Sequence, residues 1–133
     1  MNTATIRKIL YWTPPIGWAS VLFTLSCMSF SWHKPGFANE DKVFHIGLFG
    51  MLSMLLYFAL RYERGLPIVK AALLAFVITS VYGASDEFHQ LFTPGRDCDV
   101  FDWLADTVAG SIAFLTILAP RPKETAANTR RKA

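Results

Sequence analysis

Four blocks of apolar residues, at 16–32, 43–60, 67–85 and 101–119, each run for 17 to 19 residues. That block length constrains the fold more than any other feature. At about 1.5 Å of rise per residue, a helix of this length covers roughly 26 to 28 Å, close to the roughly 30 Å hydrocarbon core of a bilayer. Trp12, Trp18, Trp32 and Tyr62 flank the blocks and are the residue types that extend a short span into the headgroup layer. The stretches "VLFTLSCMSF", "GLFGMLSMLLYFAL" and "AALLAFVITSVYG" carry no charged face of the kind a soluble bundle turns to water. The expectation is therefore all-α, an integral membrane antiparallel four-helix bundle. A soluble helical bundle and a cleaved signal peptide are the rivals. Arg7 and Lys8 precede an apolar run, and "GFAN" at 36–39 is a passable cleavage site, but the run is longer than an ordinary signal core.

Composition agrees, at 53% hydrophobic and 17% charged, above the usual apolar share and below the usual charged one. The net charge of +3 matters less than its distribution. Ten basic residues fall in the N-tail (Arg7, Lys8), the second connection (Arg61, Arg64, Lys70) and the C-tail (Arg121, Lys123, Arg130, Arg131, Lys132). Three, Lys34, Lys42 and Arg96, fall in the other connections. Cytoplasmic loops are enriched in Lys and Arg, so both termini are expected in the cytoplasm and the first and third connections outside. The basic residues mark topology and favour an anionic inner leaflet; they point to the lipid bilayer as partner and to no nucleic acid. The organisation expected is a cytoplasmic N-tail at 1–15, a four-span domain at 16–119 and a disordered basic cytoplasmic C-tail at 120–133. Helix one is expected to start after Pro14-Pro15 and end near "HKPG", with Pro67 in the first turn of helix three and Pro94-Gly95 in a tight turn. Cys27, within helix one, and Cys98, in an outer connection, are read as free thiols.

Against this greasy background stands "YGASDEFHQLFTPGRDCDVFDWLAD", residues 82–106. Helical spacing places Asp41 and His45 one turn apart at the start of helix two. Near the end of helix three, Tyr82, Asp86 and either His89 or Gln90 share a face, with Glu87 rotated by about 100°. Asp102, Asp106 and Gly110 repeat at four-residue spacing in helix four, with Asp99 one turn earlier. Asp106, about one turn inside the membrane, is expected to face the bundle interior and to be protonated or paired, because a central carboxylate facing lipid costs roughly 2.5 to 3.5 kcal/mol. Gly110 is read as a site of close helix packing.

The residues "DKVFH" at 41–45 and "YGASDEFHQLFTPGRDCDVFDWLADTVAG" at 82–110 resemble the VanZ-like family of small bacterial membrane proteins. Asp86-Glu87, His89-Gln90, Phe92, Pro94-Gly95-Arg96, Asp99, Asp102 and Gly110 match its motif, over roughly residues 35–118. One position departs: the family commonly carries Asn where this chain has Asp106. The resemblance implies a multi-pass protein of the bacterial inner membrane and no particular reaction. The family is named for a member associated with teicoplanin resistance, which does not make this chain a resistance protein.

Two readings of the charged end stay open. In the first it is a site, catalytic or not, for a lipid-linked envelope precursor or an anionic headgroup. The catalytic candidates are His45, Asp86, Glu87, His89, Arg96 and Asp102, with an imidazole as acid or base, oriented by Asp86 or Glu87, and Arg96 as the anion-binding fork. Asp41, Lys42, Tyr82, Gln90, Arg96, Asp99 and Asp106 would bind substrate. No cofactor is indicated; a divalent cation on Glu87, His89, Asp99 and Asp102 is a weak candidate, since no spacing is diagnostic. No Ser or Cys stands beside a base in the sequence. In the second reading the charges form an ion-pair lock between helices, in a protein that binds envelope components or acts structurally. Transport is disfavoured because no second half repeats the first.

Overall fold

The computed structural model describes residues 2–28, 40–96 and 98–118, with the side chains of 40, 41, 112, 113 and 116–118 outside the description. Trp32, His33, Lys34, the "GFAN" stretch, Asp97 and the tail from 119 onward also lie outside the described residues. Four α-helices follow one another: α1 (Thr3–Ser26), α2 (Glu40–Phe58), α3 (Ile68–Gln90) and α4 (Val100–Leu118), with a π-helical turn at Ala59–Glu63 extending α2. Among the described residues there is no strand.

The start of α1 differs from expectation. Asn2 caps it, its side chain accepting from the Ala4 N–H at 3.1 Å, and Pro14 and Pro15 lie inside the helix. The prolines remove the donors that would bond the carbonyls of Leu10 and Tyr11, yet the helix continues through them, as helices in apolar surroundings tolerate. Trp18 consequently sits in the middle of α1 rather than at its edge, and its indole N–H donates to the Leu48 carbonyl of α2 at 2.9 Å. Cys27 is the C-cap of α1 rather than a residue of its interior.

Cross-helix bonds give the relative directions. Arg7 donates to the Tyr62 carbonyl and Trp12 to Glu63 Oε2 at 2.8 Å, so the start of α1 meets the end of α2. Lys42 and His45 meet Asp102 and Asp106, so α2 and α4 start together. Trp103 Nε1 donates to the Ser80 carbonyl at 3.1 Å and Ser80 bonds Thr107 at 2.9 Å, so α3 runs against α4. The end of α1, the start of α2, the end of α3 and the start of α4 thus share one end of the molecule. At the opposite end the π turn closes on Gly65, whose φ of 67° lets the Leu66 N–H reach the Leu60 carbonyl at 3.2 Å. Pro67 is the N-cap of α3, one residue before its first turn.

The exterior is far more apolar than that of a water-soluble bundle. Buried contacts among α2, α3 and α4 combine small or polar residues, including Ala71, Ala75, Ala109, Ser53 and Thr79, with larger ones such as Phe49, Leu52 and Leu56. Large apolar residues point outward, with Val81 and Phe88 each 64% exposed. Small residues let helix backbones approach where lipid, not water, surrounds them. Two segments, Lys42–Glu63 and Ile68–Gln90, are long and apolar enough to cross a membrane, and only 39% and 28% of their most apolar windows are buried. A core helix of a soluble protein is mostly buried; these are not.

Candidate functional site

The shared end divides into three groups of side chains. The first closes the α3–α4 connection. Thr93 and Arg96 bracket the Pro94-Gly95 turn, with the Arg96 N–H on the Thr93 carbonyl at 3.1 Å and Gly95 at φ 79°, a left-handed position that favours glycine. Asp99 caps α4, its carboxylate accepting from the Phe101 N–H at 2.8 Å. Lys42 reaches across from α2 to Asp99 at 3.1 Å and Asp102 at 2.8 Å. The Phe101 N–H first, and the Lys42 ammonium second, hold the Asp99 carboxyl below its ordinary value. From below, Glu87 Oε2 accepts the Asp99 backbone N–H at 2.9 Å. This group is the ion-pair lock, and it is built from three helices.

The second group lies deeper. His45 Nδ1 is 2.9 Å from Asp106 Oδ1, with the imidazole stacked on Phe49 at 5.8 Å between centroids. Asp106 is 0% exposed and Glu87 3%. One ligating atom from each of His45, Glu87 and Asp106 lies within 4.8 Å of the others. Asp106 reaches this depth because residue 83 is glycine: a Cβ there would stand 2.7 Å from Asp106 Oδ2 and 2.9 Å from its Cβ. Among the described residues, Glu87 Oε1 and Asp106 Oδ2 are buried with no hydrogen-bond partner. Two half-satisfied carboxylates facing one imidazole exceed what a lock requires.

The third group lies on the α1 side. Asp86 accepts from Gln90 Nε2 at 3.0 Å, one turn along α3. Tyr82 donates to the Ala19 carbonyl at 2.6 Å, tying α3 to α1. His89 packs on Phe23 at 4.9 Å between centroids, with its Nε2 3.3 Å from Cys27 Sγ. Arg96 extends to the Leu25 carbonyl in a long 3.5 Å contact, and its buried Nε has no partner among the described residues. Phe23, Tyr82, Asp86, Phe88, His89 and Phe92 line a groove of about 370 Å³ here.

The residues expected to form one pocket therefore form two neighbourhoods. Lys42, His45, Glu87, Asp99, Asp102 and Asp106 gather among α2, α3 and α4; Tyr82, His89 and Arg96 contact α1, and Asp86, bonded to Gln90, lines the groove beside them. Of the two alternatives for the Asp86 face, Gln90 takes the hydrogen bond and His89 turns toward α1. Asp41 belongs to α2, and its side chain is outside the described residues. The candidate cation set Glu87, His89, Asp99 and Asp102 is not the one the fold assembles; His45 and Asp106 join Glu87 instead. A Cys beside a base, absent from the sequence reading, is present as Cys27 and His89, 62 residues apart in the chain. Only the depth of Cys27, at the end of α1, could have signalled it.

An all-helical chain with an apolar exterior, two spans of membrane-crossing length and a polar interior at one end defines a membrane protein class. Its family follows from comparison: the VanZ/LLP1 family model matches residues 3–120. The chain belongs to the VanZ/LLP1 family. No curated protein and no solved structure matches it.

Proposed function

We propose that this chain is an antiparallel four-helix bundle of the bacterial inner membrane, with both termini cytoplasmic, whose charged end is an extracytoplasmic site for a lipid-linked or envelope-derived ligand. The observation that carries the reading is the groove between α1 and α3. Its walls are Phe23, Phe88 and Phe92, with Phe88 and Phe92 facing outward into what would be lipid, and its floor carries Asp86 and His89. An amphiphile is complementary to such a surface: its chain lies over the phenylalanines while its headgroup meets imidazole, and an anionic headgroup meets the Arg96 guanidinium nearby. Ligand sites in membranes favour this combination of apolar walls and few polar groups. The lock of Lys42, Asp99 and Asp102 supports the same end without competing with the groove, since it uses different side chains.

The test is lipid retention. Full-length protein extracted from its own membranes, and the variants His89→Ala and Arg96→Gln, are analysed for co-purifying lipids by mass spectrometry. Wild type is expected to retain an anionic lipid-linked species that both variants lose several-fold while still inserting in the membrane. Equal retention by all three, or none by wild type, overturns the proposal.

A further inference from the structure

We infer that His45, Glu87 and Asp106 bind a divalent transition-metal ion of the Zn²⁺ or Mn²⁺ type at the junction of α2, α3 and α4. The inference uses none of the groove residues, so it stands or falls separately from the lipid reading.

Four observations converge on it. The ligating atoms come from three helices and lie within 4.8 Å of one another. The His45 Nδ1 to Asp106 Oδ1 separation of 2.9 Å is close to that of two neighbouring ligands of one ion, which at bond lengths near 2.1 Å stand about 3.0 Å apart at an octahedral angle and about 3.4 Å at a tetrahedral one. Glu87 Oε1 and Asp106 Oδ2 are buried without partners among the described residues, and Asp106 Oδ2 turns toward α3 at Gly83, one helical turn before Glu87. Finally, the charges balance. A neutral imidazole and two carboxylates sum to the charge that one dication cancels, and in an interior of low dielectric an uncancelled pair of carboxylates is strongly disfavoured.

Binding needs a bare lone pair on His45 Nδ1, so the proton there shifts to Nε2 when the imidazole starts neutral and is released to solvent when it starts as imidazolium. One imidazole nitrogen among oxygen ligands selects transition metals over Ca²⁺ and Mg²⁺, which take oxygen alone. Three protein ligands leave coordination positions for water or another small donor. Glu87 holds the site to the α3–α4 connection through its second oxygen on the Asp99 N–H, so occupancy and the lock are mechanically joined.

Purified full-length protein, stripped with chelator in detergent, is titrated with Zn²⁺, Mn²⁺, Co²⁺ and Mg²⁺, following heat of binding and, for Co²⁺, visible absorption. The expected result is one equivalent of Zn²⁺ or Mn²⁺ bound, Co²⁺ absorption in the visible, and no response to Mg²⁺. Glu87→Gln keeps an oxygen for the Asp99 N–H and removes one anionic ligand; it is expected to weaken binding about 100-fold or more, beyond the range for loss of a supporting group. The double variant Cys27→Ser/Cys98→Ser is expected to bind as wild type does. Wild type that binds none of the three transition metals overturns the inference, as does binding that survives Glu87→Gln or disappears with the thiols. Because the wild-type titration needs no variant to fold, the inference is testable even if Glu87→Gln does not.

Discussion

His45→Ala is expected to destabilise the protein by about 3 kcal/mol or more, because it leaves a buried carboxylate without its counter-group. Asp106 is fully buried, and His45 supplies the hydrogen bond to its Oδ1. Removal of the imidazole leaves Asp106 facing Glu87 in an apolar interior with Lys42 already committed to Asp99 and Asp102. Asp106→Asn is the informative comparison. Its amide oxygen can still accept from His45 and its charge is gone, so the expected loss is much smaller. Reversible unfolding in detergent, or resistance of the inserted chain to thermal aggregation, reads both variants. Equal losses within about 1 kcal/mol would mean that ordinary packing, not the uncompensated charge, sets the effect of His45→Ala.

Gly83→Ala carries the second large effect, through geometry alone. The new methyl would meet Asp106 at both Oδ2 and Cβ, below 3.0 Å in each case. Cβ is fixed to the backbone of α4, so a rotamer change does not relieve the contact and the two helices must separate. Overpacking of this kind typically costs 1 to 3 kcal/mol, and the upper part of that range, about 3 kcal/mol, is expected because separation also strains the His45–Asp106 bond. Gly47→Ala is the control: nothing lies within 4 Å of its Cβ, so removing a helical glycine there should be neutral or stabilising by up to about 1 kcal/mol. Gly110→Ala falls between them, since its neighbour is the edge of the Phe76 ring at 3.3 Å, which can turn aside. If Gly83→Ala unfolds no more readily than Gly47→Ala, the close approach of α4 to α3 is not as described.

Much of the fold was legible because an apolar block of 17 to 19 residues has few alternatives to a helix, and the Pro94-Gly95 pair has few alternatives to a turn. The beginning of α1 was not legible, since a proline pair reads as a start signal from local rules developed for helices in water. The interior of the charged end was readable by face but not by partner. Four-residue spacing placed Asp102 and Asp106 on one stripe of α4, but the rotation of α4 against α2 decides that Lys42 receives the first and His45 the second. Spacing likewise left His89 and Gln90 equivalent relative to Asp86. The position of α1 separates them, since Phe23 and Cys27 receive the imidazole. The Gly83 contact has no sequence signature at all: it depends on the approach of two helices at one depth. Asp106, at 0% exposure, is the residue most deeply placed in the His45–Glu87 cluster.

The lipid proposal needs the charged end to lie outside the cytoplasmic face, and Cys98 reports on that directly. It is exposed, unpaired in a disulfide, and adjacent to Asp99 at the start of α4. In a Cys27→Ser background, where it is the single thiol, Cys98 is treated in intact cells with a membrane-impermeant maleimide, with and without permeabilisation. Modification in intact cells is the expected result, whereas labelling that appears only after permeabilisation would put the charged end in the cytoplasm and overturn the proposed topology.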